Sequence, residues 1–201
     1  MGSTPRPASW EDAALIAQIQ EGQTEVYGAL VRKYQDRVFN TCWRICGHLE
    51  DARDLTQEAF LKGFEHLSEF RGQSGFYTWI YRVAVNLALS HRRTASRRRN
   101  VSLDNASGLA GTQAEALAKH TTGDDPAKTA SDREMHGCVA KALGALEGDY
   151  RAVVVLRDIE GFDYREIGEI LEIPPGTVKS RLHRARAAIG EALRSRVATQ
   201  D

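Results

Sequence analysis

The sequence predicts an all-α protein, with two small helical domains joined by a flexible linker and a helix-turn-helix in the C-terminal one. Three observations lead there. Apolar residues recur at spacings of three and four along most of the 201 residues, the repeat of helices with one buried face. No convincing run of alternating apolar and polar residues is present. The helical repeat fails once, from about residue 96 to residue 130, where Ser, Thr, Gly, Asn and Asp dominate and Pro126 lies near the end.

The elements follow in order. Leu15, Ile16 and Ile19 form a short stripe that stops at Gly22. Val26, Leu30, Tyr34, Val38, Cys42 and Ile45 make a second stripe up to Gly47, and Ala52, Leu55, Ala59, Phe60, Phe64 and Leu67 a third. Ser74 is placed to cap a fourth helix, whose stripe is Phe76, Ile80, Val83, Ala84 and Leu87. Beyond the linker the pattern resumes at Ser131, which has capping-box spacing with Glu134, and a further helix follows Asp149 with Val153, Val154 and Leu156. Asp163 and Glu166 repeat that spacing and open a helix with Ile167, Ile170 and Leu171 on one face. Glu172, Ile173, Pro174, Pro175 and Gly176 break it; Thr177 to Leu193 is the last helix, with Val178, Leu182, Ala185 and Ile189 inward. The implied division is a first domain over 10–95, a linker over 96–130 and a second domain over 131–196, the two domains moving independently when free.

Composition narrows the function classes. No apolar run approaches the roughly 18 residues of a membrane span. The N-terminal MGSTPRPASWED has no signal-peptide core, so a cytoplasmic location is expected. Cys42, Cys46 and Cys138 are an odd set without framework spacing, as reduced thiols would be. Cys42, Cys46 and His48 have C-x3-C-x-H spacing, which matches no standard zinc motif, and Cys42 continues an apolar stripe. Buried thiols are the expectation, with no metal and no other cofactor. No Walker loop, Ser-His-Asp set or paired-carboxylate pocket is visible, so no enzyme is predicted.

The zero net charge conceals a partition. Residues 1–69 hold seven basic and eleven acidic residues, and 104–176 seven and fourteen. Residues 70–103 hold seven arginines and no acid, and 177–201 six basic and two acidic residues. Two basic islands suggest two contacts with a polyanion. In the first, Phe70, Phe76, Tyr77, Trp79 and Tyr81 interleave with Arg71 and Arg82. Cations among flat ring faces suit single-stranded nucleic acid, charge for phosphates and rings for unstacked bases. In the second, Lys179, Ser180, Arg181, His183, Arg184 and Arg186 face outward from the last helix, and no acid interrupts Thr177 to Gly190. A short helix, a tight turn and a second helix with one basic face is the plan that docks in the major groove.

With both motifs in view, the chain resembles the extracytoplasmic-function (ECF) sigma factors of the sigma-70 family, the two-domain promoter-specificity subunits of bacterial RNA polymerase. DARDLTQEAFLKGFEHLSEFRGQSGFYTWIYRVAVN, Asp51 to Asn86, is similar to region 2 of that family, and YREIGEILEIPPGTVKSRLHRARAAI, Tyr164 to Ile189, to region 4.2. The resemblance implies core RNA polymerase and promoter DNA, duplex and single-stranded, as partners, and leaves room for an anti-sigma protein. It implies that Phe70, Arg71, Gly72, Gln73, Ser74, Gly75 and Phe76 form the pocket for a base flipped from the melted −10 strand. Tyr77, Arg82 and Asn86 would support that pocket from the adjoining helix, while Trp79, Ile80 and Val83 are core. It assigns −35 reading to Lys179, Ser180, His183 and Arg184, with Thr177, Arg181 and Arg186 for phosphate contact or packing. Core-polymerase binding falls to Asp51, Asp54, Leu55, Gln57, Glu58, Phe60, Leu61 and Lys62, some of whose apolar members also serve the domain core. A dimeric helix-turn-helix regulator would explain 177–189 but not 70–86; an enzyme or helical adaptor would explain neither island.

Overall fold

The computed structural model describes residues 9–72, 74–101 and 130–197. Among these residues are eight α-helices and no strand. Helices α1 (Ser9–Gln20), α2 (Tyr27–Cys46), α3 (Leu49–Glu65) and α4 (Phe76–Val101) build the first domain. Helices α5 (Ala130–Ala145), α6 (Gly148–Val154), α7 (Tyr164–Leu171) and α8 (Pro175–Val197) build the second, with α6 widening into a π turn over Val155–Ile159.

The apolar stripes become the core. Leu30, Tyr34, Val38 and Cys42 of α2 meet Ala52 and Ala59 of α3 and Ile80 and Ala84 of α4, all excluded from solvent. Helix α2 stops at Gly47, whose φ of +88° lets its N–H turn back to the Trp43 carbonyl at 2.8 Å. Helix α1 is pinned at one end by Asp12, a buried carboxylate that accepts from the Tyr34 hydroxyl and from Lys33 Nζ at 2.7 Å. Burying that charge is tolerable because it is both paired and hydrogen-bonded. At the other end Gln20 Nε2 donates to the carbonyls of Leu67 and Phe70, both at 3.1 Å, and so fixes the loop that leads into α4.

Three sequence expectations shift. Helix α4 continues through residues 96–101, which were assigned to the linker; that segment has no Gly or Pro, and arginine is a good helix former even without an apolar stripe. The rest of the expected linker, 102–129, lies outside the described residues. Helix α5 starts at Ala130, so Ser131 falls inside its first turn. Helix α4 starts at Phe76 and the Gly75 carbonyl accepts from Trp79 N–H at 3.1 Å, so the cap position belongs to Gly75, one residue after Ser74. By contrast, Asp163 and Glu166 form the full capping box, with bonds of 2.7 and 2.8 Å.

The two domains share one core, a union the linker composition did not predict. Phe162 of the second domain is fully buried against Tyr77 and Tyr81 of α4. Each domain also lends the other an arginine. Arg92 of α4 donates to the Leu146 carbonyl at 2.8 Å, and Arg151 of α6 donates to the Ile45 carbonyl at 3.0 Å, each satisfying the C-terminal end of a helix across the junction. Burial, with Arg92 beside it, pushes the Arg151 guanidinium down to about 9, still far enough above neutral to keep its charge.

Candidate nucleic-acid interface

The start of α4 decides which rings meet solvent. Phe76 and Ile80 face one way with Tyr77, Tyr81 and Ala84, into the core; Trp79, Arg82 and Asn86, three and four residues apart, face the other. Phe76 is only 2% exposed, tilted against Tyr34 at 5.7 Å and against Trp79 at 5.7 Å between ring centroids. This corrects the expectation for Phe76: its ring is a floor beneath the loop and has no face free for a base. Trp79, expected in the core, is half-buried: it packs against the core and stands edge-on to Phe70 at 5.3 Å. The apolar stripe of Phe76, Ile80 and Ala84 already places Phe76 on the buried face of α4.

Glu69, Phe70, Arg71, Gly72, Ser74, Trp79 and Arg82, with Glu169 of α7, line one cavity of about 420 Å³. The predicted loop residues are thus brought together, and Asn86 is exposed one helical turn beyond Arg82. Gln73 lies outside the described residues. The Arg82 Nε is buried with no acceptor among the described residues, an unmet donor of the kind functional sites tolerate. Tyr77 is buried as well, at 7%, under the second domain. Burial pushes its hydroxyl up to about 12. Arg37 sits over the Tyr77 ring at 5.0 Å; although burial lowers its guanidinium, Tyr77, Tyr81 and Glu160 outweigh that and raise it. The sequence singles out none of Arg37, Thr41 and Glu169, and it marks Trp79 as a core ring. The spacing of Trp79, Arg82 and Asn86 was the one available signal; the others come from distant helices.

The second basic face is divided. Lys179, Ser180, His183 and Arg184 are exposed on α8, and Thr177 is half-buried at its first turn. Arg181 and Arg186 are tied within the protein: Arg181 pairs with Asp149 at 3.2 Å, and Arg186 grips Asp158 through both Nε and Nη2. Each is thus ion-paired in this conformation, with the Arg186 side chain still about half exposed. The turn before α8 is tight. Glu172 is left-handed at φ +55°, and both its N–H and that of Ile173 converge on the Gly168 carbonyl.

Helix α3 shows a mixed outer face. Asp54, Gln57, Glu58 and Leu61 are exposed, the last by 57%, and Asp51 and Lys62 are half-exposed. Leu55 and Phe60 are buried and serve the domain core. Cys42 and Cys46 face carbonyls, of Ala84 and His48, and burial pushes their thiols up to about 12 and about 11. Among the described residues no group of three or more His, Cys, Asp and Glu side chains is placed to hold a metal, and no helix is long and apolar enough to cross a membrane.

Residues 30–98 match the family Sigma-70 region 2, and residues 136–189 the family Sigma-70, region 4. The chain is 34% identical over 186 residues to the RNA polymerase sigma-H factor of Pseudomonas aeruginosa, covering 91% of this chain and 94% of that protein. It is 33% identical over 181 residues to the ECF RNA polymerase sigma factor SigW of Bacillus subtilis, covering 89% and 95%. The chain belongs to the ECF sigma factor family. As a sigma factor it directs promoter-specific transcription initiation by core RNA polymerase. Its fold is that of the sigma factor RpoE of Bartonella quintana, solved as a co-crystal with the anti-sigma factor NepR, at a TM-score of 0.65 and 20% identity over 84% of this chain and 96% of that one.

Proposed function

We propose that this sigma factor captures the melted −10 strand in the cavity between the 69–74 loop and α4, and reads the −35 duplex with the exposed face of α8. The observation that carries the reading is the cavity itself, which two cations, Arg71 and Arg82, line together with the Phe70 and Trp79 rings. Stacking on such rings is worth about 1–3 kcal/mol per base, which offsets the few kcal/mol of extruding one. On α8, Lys179, Ser180, His183 and Arg184 are the residues for base edges, because they are exposed while Arg181 and Arg186 are held by acids. The acidic and leucine face of α3, with Asp54, Glu58 and Leu61, docks on core polymerase. The −10 work then belongs to residues 10–95 and the −35 work to 131–196. The site of action is the cytoplasm, no bond-making chemistry is its own, and an anti-sigma protein is a further partner by likeness to RpoE. Run-off transcription with purified core polymerase tests this. Leu61→Ala should weaken core binding, Trp79→Ala should reduce open complexes with core binding intact, and Arg184→Ala should reduce only promoters that carry a −35 element. Loss of all three functions by every variant would reject the division of labour.

A further inference from the structure

The junction between the domains has the chemistry of a filled nucleotide site. Phe162 stacks on Tyr77 at 4.8 Å and 15°, the arrangement an unstacked base takes on a ring. Two residues before it, the buried Glu160 carboxylate accepts from Arg37 Nη2 at 3.2 Å, Thr41 Oγ1 at 3.0 Å, Tyr81 hydroxyl at 2.9 Å and Tyr77 hydroxyl at 3.4 Å. One guanidinium and three hydroxyls around an anion form the donor set that holds a phosphate. All four donors belong to the first domain; the ring and the anion belong to the second. A third element agrees: Glu169 of α7 lines the cavity that holds Arg71 and Arg82. Meanwhile Lys179, His183 and Arg184 stay exposed.

We propose that Arg37, Thr41, Tyr77 and Tyr81 form a further nucleotide subsite on the first domain, which Phe162 and Glu160 occupy in the closed chain as ring and anion. Single-stranded DNA and the second domain then compete for one surface, so the free protein is closed toward the −10 strand while open toward −35 duplex. This rests on the proposal that the first domain binds single-stranded DNA, and extends it to Arg37 and Thr41, outside the 70–86 motif. Binding to a chain that is open only part of the time is weakened by that fraction, so releasing the plug raises affinity by its reciprocal.

Glu160→Gln, in the full chain, removes the anion and keeps the shape; Glu160→Lys faces Arg37 with a second cation and opens the junction if Gln does not. Circular dichroism and binding of a −35 duplex check that both domains stay folded. The probe is a short fluorescein-labelled single strand of randomised sequence, read by anisotropy, with the radius of gyration from small-angle scattering. The expected result is a larger radius and affinity raised about tenfold, with duplex binding unchanged. Adding Arg37→Ala to the opened chain should then lower single-strand affinity. An opened chain that binds the strand no better than wild type, or no opening by either substitution, overturns the proposal. The two readings part in the opened chain. If Arg71→Ala and Arg82→Ala weaken binding and Arg37→Ala does not, the cavity binds and the new subsite is refuted. If Arg37→Ala alone weakens it, the new subsite stands and the cavity assignment falls.

Discussion

Gly168→Ala puts two opposed effects of known size at one position. Gly168 lies inside α7, where alanine is favoured over glycine by about 1 kcal/mol. A methyl group there would lie 2.8 Å from the Ile173 carbonyl oxygen, with Pro175 Cδ and Cγ at 3.8 Å. The oxygen is main chain in the turn itself and cannot swing aside as a side chain would. It must move by several tenths of an ångström, and with it the convergence of the Glu172 and Ile173 N–H groups on Gly168 and of Thr177 and Val178 on Pro174. Overpacking of this kind costs about 1–3 kcal/mol, and each weakened hydrogen bond about 1 kcal/mol more. The clash outweighs the propensity, for a net loss of about 2 kcal/mol, or about 4–8 °C in Tm for a chain of this size. The same shift tilts α8 against α7, so −35 duplex binding should fall while single-strand binding does not. Thermal unfolding by circular dichroism and duplex anisotropy measure both. Gly190→Ala is the control: in the interior of α8 its methyl would meet only the Arg194 guanidinium at 3.9 Å, and it should stabilise. A Gly168→Ala protein as stable as wild type would refute the claim that the carbonyl approach is what holds glycine there.

Glu172→Gly should stabilise by about 0.5–1 kcal/mol in denaturant unfolding, because Glu172 holds a left-handed φ of +55° that glycine adopts without strain. Phe76→Ala, which empties a buried aromatic site, should cost about 3–5 kcal/mol of stability, whereas Trp79→Ala, at the cavity wall, should cost less and impair open-complex formation more; permanganate footprinting of −10 thymines with parallel melts separates them. Arg186→Ala breaks its Asp158 pair at the helix surface and should change stability by less than about 1 kcal/mol, with no change in base preference, while Arg184→Ala relaxes preference at one −35 position in competition binding. The Cys42 and Cys46 thiols, raised by burial from 9.0 to about 12 and about 11, stay protonated when the unfolded chain has lost its protons. Their contribution to stability is therefore complete below pH about 9 and is lost as the pH rises toward 12, so denaturant midpoints should fall across that window and iodoacetamide at pH 8 should label Cys42 only on unfolding.

The sequence by itself determined everything that depends on neighbours along the chain. The apolar stripes placed α2, α3 and the inward face of α8, because burial of one helical face repeats every three to four residues. The capping box at Asp163 and Glu166 formed as its spacing predicts, since both bonds close within one turn. The two motifs gave the family before any coordinate was known. Tertiary structure decided the rest. Where the Phe76 and Trp79 rings settle depends on Tyr34 of α2 and Phe70 of the loop, and Gln20, reaching from α1 to the carbonyls of Leu67 and Phe70, holds that loop beside them. Arg181 and Arg186 were open to phosphate contact or packing in the sequence, and only the fold brings Asp149 and Asp158 within reach of them. Most of all, nothing local tells Glu160 that its partners are Arg37, Thr41, Tyr77 and Tyr81, since about 80 to 120 residues of chain separate them. Periodicity records which face of a helix is buried, whereas the identity of what buries it is settled only when the two domains meet.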